Sequence, residues 1–224
     1  MRGNLAWRSF ASLVAASIVS LALAGAAAAD KEKIRLTKAG QAAARATILT
    51  RSDLGTAPGW SGGTKKPRLS SEPPCPNFDP KQSDLVLVGA AESTWKNTGL
   101  QFDSESQVLK TPAMVRLDWR RTVLAPEVEP CLRSALVKQL GSTAHLVSFD
   151  RLGFPRVAPY TRAYRTLVDV TNGSAKVRVL FDVILVGKAS TEITLTASAP
   201  YAAESVVSPA EIRLARLLAA RVRT

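Results

Sequence analysis

Residues 163–186 read AYRTLVDVTNGSAKVRVLFDVILV. Two runs rich in β-branched and aromatic residues flank Asn172-Gly173. Asn-Gly between such runs is the strongest short hairpin signal, because a type I′ turn needs positive φ at both central residues. With Asn172 and Gly173 in those positions, Asp169 falls opposite Lys176, Val168 opposite Val177 and Tyr164 opposite Phe181. One ion pair and two apolar pairs emerge together, as cross-strand pairing favours. Two long antiparallel strands are predicted, over residues 163–171 and 174–186, and they make the fold sheet-based.

Working outward, residues 191–198 alternate Ile193, Leu195 and Ala197 against Glu192, Thr194, Thr196 and Ser198, the pattern of a strand with one buried and one solvated face. Ser208-Pro209-Ala210-Glu211 reads as a capping box with Pro at the first helical position. In the helix it would start, Leu214, Ala215, Leu218, Ala219 and Val222 share one face, and Arg213, Arg216 and Arg223 share another. Upstream, residues 144–154 are strand-like. A helix is expected over residues 111–123, with Thr111 as its cap and Val115, Trp119 and Val123 as its buried stripe. A second helix is expected from Pro126 or Pro130 to Gly141, with Leu132, Ala135, Leu136 and Leu140 inward. Residues 85–88, 92–97 and 100–109 read as strands, the last two joined around Asn97-Thr98-Gly99. The alanine-rich stretch 37–50 reads as a helix, with Ala42, Ala43, Ala46 and Leu49 at helical spacing. These elements predict an α+β sandwich: one domain, with a mainly antiparallel sheet of about six strands flanked by helices.

The stretch 58–83 breaks this pattern. It holds six of the chain's 13 prolines, Gly59, Gly62 and Gly63, and the basic cluster Lys65, Lys66 and Arg68. It reads as an irregular Pro-rich loop of functional length.

The amino terminus reads as an export signal. Arg2 and Arg8 precede an uncharged apolar segment, residues 10–25, then Ala26 to Ala29 and the charged start Asp30-Lys31-Glu32-Lys33. A basic region, an apolar core and a small-residue end are the parts of a secretory signal peptide, expected at residues 1–29. The alternative is a retained anchor, for which residues 10–29 have barely the length. Cleavage would leave a mature domain of residues 30–224. Losing two arginines and no acid, it would carry a net charge of +10 instead of +12. Nothing after Asp30 is long and apolar enough to span a membrane. In an exported chain, Cys75 and Cys131, the only two cysteines, are expected to form one disulfide. The alternative is a catalytic cysteine served by His145, the only histidine.

Motifs for chemistry are sparse. One histidine excludes a three-His metal centre, and neither a phosphate-binding glycine loop nor G-x-S-x-G occurs. No metal and no cofactor are expected. Glu127/Glu129 and Asp103/Glu105 are the nearest carboxylate pairs; the first suits a helix start, the second a solvated strand face. The tryptophans do not interleave with basic residues as a nucleic-acid platform requires. The basic balance permits an anionic surface polymer as partner.

Ile48-Leu49-Thr50-Arg51-Ser52-Asp53-Leu54-Gly55 with Pro58-Gly59-Trp60 is similar to the L-x-x-x-D-L-P-x-G-W opening of exported bacterial sensor-like domains. Phe154-Pro155-Arg156-Val157, with Thr161, Ala163 and Tyr164 beyond, looks like the segment that enters a strand in them. The element order resembles the extracytoplasmic sensor domains of actinobacterial kinases and small secreted proteins of the PsbP/Mog1-like type. The resemblance implies a helix-flanked antiparallel sheet with a ligand or partner cleft, generally without catalysis. The expected function is therefore non-enzymatic binding of an envelope ligand or protein partner. The expected site lies where the Pro-rich loop, with Trp60, Lys65, Lys66, Arg68 and Phe78, meets the helix bearing Trp119. A hydrolase built on an unrecognised carboxylate or serine site is the second expectation, and a buried, perturbed acid beside a pocket would favour it.

Overall fold

The computed structural model describes residues 31–69, 78–140, 142–172 and 175–223. Its organising hairpin pairs β6 (Tyr160–Asn172) with β7 (Ala175–Lys188), in a register two residues from the expected one. Asn172 pairs with Ala175, so the connecting pair is Gly173-Ser174, which lies outside the described residues, instead of Asn172-Gly173. Asp169 consequently faces Arg178, Val168 faces Val179 and Tyr164 faces Val183. Charge accounts for the difference. Arg178 reaches both Asp169 oxygens, at 2.8 and 3.1 Å, while Lys176 still reaches Asp169 from the diagonal at 3.0 Å. One carboxylate thus serves two cations, and those bonds hold Asp169 well below the usual carboxylate range. A two-residue shift leaves every side chain on its expected face.

The remaining strands are β1 (Lys33–Ile34), β2 (Ser61–Lys65), β3 (Val86–Asn97), β4 (Leu100–Leu109), β5 (Ala144–Arg151) and β8 (Thr191–Pro200). They form one eight-stranded sheet in the order β1-β3-β4-β8-β7-β6-β5, with β2 also on β3. All pairs are antiparallel except β1 with β3. Eight strands replace the expected six or so because two short ones line the outer edge of β3. One of them, β2, lies inside the stretch expected to be irregular. Gly62 and Gly63 adopt φ of 137° and 159°, and a Cβ on Gly62 would lie 2.0 Å from the Thr94 carbonyl oxygen. The glycines taken as loop markers thus permit close strand pairing.

Helices cover both faces. On one face lie α1 (Lys38–Ala46) and α4 (Glu204–Arg221); on the other, α2 (Pro112–Asp118), a π-helical turn (Trp119–Val123) and α3 (Val128–Gln139). Thr111 caps α2 by accepting the Met114 amide, as expected. Val115, Trp119 and Val123 are buried with Leu132 and Leu136 against Leu109, Tyr164 and Leu185. Among the described residues no helix is long and apolar enough to cross a membrane.

Two helix readings and one strand reading are corrected. In α1 the buried positions are Gly40 and Ala44, while Ala42, Ala43 and Ala46 are exposed. The helix meets the sheet backbone to backbone: a Cβ on Gly40 would lie 2.2 Å from Val88 O, and one on Gly89 would lie 2.0 Å from Gly40 O. Next, the polar face of β8 is less solvated than expected: Thr196 and Ser198 are 7% and 2% exposed, and Glu192 and Thr194 are half-buried. Finally, α4 begins at Glu204, so Ser208 to Glu211 lies inside it and is no cap. Ser208 Oγ accepts from Arg165 Nη2 instead, and Glu211 is fully buried beside Asp182. Arg165 binds Asp182 through two nitrogens and also pairs with Glu204. Burial, and then the neighbouring Asp182, push Glu211 from 4.5 up to about 9. Glu211 is therefore a neutral acid that donates to Asp182.

Two outcomes follow. Gly→Ala within a helix normally stabilises, yet Gly40→Ala will destabilise by about 1–3 kcal/mol, because α1 must lift off β3. Chemical denaturation checks the sign. The folded protein keeps the Glu211 proton that the unfolded chain releases above about 4.5, so this term is complete below 4.5 and is lost as pH rises toward about 9. Glu211→Gln retains an N–H donor and cannot ionise. Its melting temperature should match the parent near pH 5 and exceed it by pH 8; parallel melting curves across that range would contradict the assignment.

Candidate functional site

The face carrying α2 and α3 is apolar beneath those helices and polar over β3, β4 and β8. Registration explains the polar half. Lys65, Glu92, Glu105 and Thr194 form one rung across β2, β3, β4 and β8. Ala90, Gln107, Glu192 and Gly187 form the next across β3, β4, β8 and β7. Residues paired across strands share a face, so alternation places Glu105, Gln107, Glu192 and Thr194 together. Helix α2 lowers Asp118 and Trp119 onto this patch, and Glu32 enters from the segment leading into β1. A partly enclosed cavity of about 40 Å³ lies between them, lined also by Thr122, Val123, Leu185, Val186 and Ile193.

Four carboxyl groups therefore surround one small space. Gln82 Nε2 donates to Asp118 Oδ1 at 3.0 Å, and Gln107 Nε2 donates to Glu105 Oε1 at 2.8 Å. The carboxyls of Asp118 and Glu192 are within hydrogen-bond reach of each other, which requires a proton between them. Glu192 Oε1 is buried, and Asp118 is the hydrogen-bond partner of this carboxyl among the described residues. Gln82 is 3% exposed, and its Oε1 is likewise buried without a donor.

Burial raises all four acids. Glu192 rises well above the usual range through burial and then through Asp118 and Glu32. Glu32 rises to about 7 through burial and then through Asp118 and Glu105. Burial lifts Glu105, the Gln107 bond opposes that, and Glu92 adds to it. Burial also raises Asp118, against the bonds from Gln82, Glu192 and Thr122. Positive charge stands at the rim: Arg68 acts on Glu105 and Arg121 on Asp118. Arg121 is held outward by Asp84, at 2.6 and 3.0 Å, and by the Lys81 carbonyl. Among the described residues no group of three acids, cysteines or histidines could hold a metal ion.

Gly187 positions the tryptophan beside Glu192. A Cβ there would lie 2.6 Å from the indole Nε1 of Trp119, so only glycine lets the ring settle against the sheet. Tyr160 flanks the same indole, with centroids 5.4 Å apart. Trp119 is also the first residue of the π turn, where Leu124 N donates to Trp119 O at 2.8 Å. Such turns recur at functional positions.

The structure divides the expected site residues. Trp119 and Phe78 share one core cluster on the recess face. Trp60 is on the opposite face, half-buried and stacked on Phe102 at 5.9 Å, so the expected cleft joining Trp60 to Trp119 does not form. Lys65, Lys66 and Arg68 are exposed, with Lys65 opposite Glu92. Cys75 lies outside the described residues, and with it the expected bridge to Cys131, which stands half-buried in α3. His145 is exposed on β5, matching a solvated strand position. Glu129 pairs with Arg151. Asp103, expected to be solvated with Glu105, accepts from Thr94 at 2.5 Å and from Gln101 at 2.6 Å, and burial raises its pKa.

No family model and no curated protein matches the chain. Among solved structures it is similar to an uncharacterised protein of Mycobacterium smegmatis, an ortholog of Rv0999. The two are 12% identical, with a TM-score of 0.39 over 77% of this chain and 96% of the other.

Gly187→Ala should expel the Trp119 indole at a cost of about 1–3 kcal/mol. The tryptophan emission of the folded variant should move to the red. Unchanged emission with unchanged stability would show that the indole does not need this space.

Proposed function

We propose that this protein is an exported, non-enzymatic binding domain of the bacterial envelope, and that its ligand enters the recess between β4, β8 and α2. The observation that carries this reading is a partly enclosed recess in which Glu32, Glu105, Asp118 and Glu192 converge beside Trp119. Gathering buried acids in one small space costs stability, and such clusters of perturbed groups recur at functional sites. Export rests on residues 1–29 and on the expected Cys75–Cys131 bridge. The proposed site uses Trp119 and one flank of the Pro-rich loop, and leaves Trp60 as a core anchor.

Hydrolysis is the second reading, favoured by the proton shared between Asp118 and Glu192, an arrangement suited to acid–base work. Binding is preferred on size. A cavity of about 40 Å³ admits a small head group, whereas paired-carboxyl hydrolysis needs carboxyls roughly 5–10 Å apart around a scissile bond.

A fragment screen read by ¹H–¹⁵N NMR tests the proposal. Hits should move the Trp119 indole and the amides of residues 192–194. Hits confined to the Trp60 face, or substrate turnover abolished by Asp118→Asn, would replace the proposed function.

A further inference from the structure

We propose that β5 is a self-pairing edge, along which two copies of this chain join their sheets, antiparallel, about a two-fold axis. The sheet ends at β5; one side of this strand pairs with β6, and the other meets no strand among the described residues. Two bonds fix which backbone groups point to the free side. Thr171 N donates to Thr143 O, and Leu152 N donates to Ala163 O, so Thr143 and Leu152 spend their backbone groups on β6. Such bonding alternates along an antiparallel strand. Counting inward from both ends, across the bulge between Leu146 and Ser148, the outward residues are Ala144, Leu146, Phe149 and Arg151. Phe149 O agrees with this count. It accepts from Arg133 Nη2 of α3 at 2.6 Å, and the guanidinium stands 5.8 Å from the Phe149 ring centroid.

A row of outward N–H and C=O groups is a template for another strand. Register identifies the occupant. A second β5 laid antiparallel can pair all four outward residues in one way only: Ala144 with Arg151, and Leu146 with Phe149, of the other copy. The bulge falls at the centre of both strands, so each is matched by its twin and every side chain keeps its face. Leu146 then meets Phe149 on the face under α3. Val147 is exposed at the centre, and Val137, one turn beyond Arg133, is exposed on α3.

Backbone pairing alone sets this register, and it brings opposite charges together. His145 falls opposite Asp150 of the second copy, and a two-fold axis makes that contact twice. Both residues are exposed, and neither has an ion-pair partner within its own chain among the described residues. The rung they complete is longer than the pair. It runs Arg178, Asp169 and His145, then Asp150, Arg165 and Asp182 of the second copy, and it alternates in sign once the imidazole is protonated. Shifted registers lose this match. Pairing Phe149 with Arg151 alone opposes Asp150 to Asp150, and pairing Ala144 with Leu146 alone opposes His145 to His145. Arg133 holds the Phe149 carbonyl while a chain is alone, and yields it to the Leu146 amide of the second copy. The strip is short, so the association is reversible and smaller than a standard interface.

Analytical ultracentrifugation of the full chain should show a monomer–dimer equilibrium as concentration rises, with hydrogen exchange slowing at the amides of Leu146 and Phe149. His145→Asp opposes acid to acid, and Asp150→Lys opposes cation to cation. Each should weaken self-association about tenfold or more, because two pairs change sign. Mixed together, the two variants should form a heterodimer about as tight as the parent dimer, since each contact then joins opposite charges. His145→Lys keeps the sign and should associate at least as tightly as the parent; it decides the matter if either of the other variants does not fold. A chain that stays monomeric at every concentration overturns the proposal. So does a dimer whose affinity ignores these substitutions, a folded variant pair that fails to associate when mixed, or exchange protection confined to residues outside β5.

Discussion

Strand β8 sits between β4 and β7 in the middle of the sheet, and the structure buries most of both its faces. That constraint governs the rest of the molecule. One face carries Ile193, Leu195, Ala197 and Ala199 into the core beneath α4. The other carries Glu192, Thr194, Thr196 and Ser198, a sequence suited to water. Covering a polar face requires partners for its groups. For part of it they are present; the rest forms the recess.

The protein buries two acid pairs, and comparing them separates structure from site. Asp182 and Glu211 lie under α4 with one proton between them, and Arg165 grips Asp182 from the neighbouring strand. The arginine balances the remaining charge, and a fully buried, compensated cluster fixes how α4 docks. Asp118 and Glu192 share a proton on the opposite face, where Arg121 acts on Asp118. Arg121 is turned to Asp84, and Glu32 and Glu105 add like charge. The first pair is closed off beneath α4, whereas the second borders the recess.

Much of the fold was legible in the sequence, and the recess was not. Alternation and turn chemistry located the β6–β7 hairpin, the β3–β4 hairpin and the stripe of α4, because those signals are local. The hairpin register was misjudged by two residues because the turn signal at Asn172-Gly173 lost to Asp169 satisfying two cations at once. The helix start at Ser208 was misjudged because its capping pattern is purely local, while Ser208 and Glu211 face Arg165 and Asp182, about 30–45 positions away in the sequence. Glu32, Glu105, Asp118 and Glu192 span 160 positions, and Glu105 and Glu192 read as solvated in their own strands. Only sheet order brings them together, and single-strand alternation does not encode sheet order. A weak hint existed: Glu92 and Glu105 are paired across the predicted β3–β4 hairpin, a repulsive arrangement that wants a nearby cation.

The basic composition does not contradict an acidic site. At physiological ionic strength exposed charges act over roughly 8 Å, so the surface excess of lysine and arginine is screened while partly buried carboxyls are not. Net charge and local potential can therefore have opposite signs. A basic exterior thus surrounds an acidic recess, and the proton shared by Asp118 and Glu192 keeps the recess from standing as four bare carboxylates.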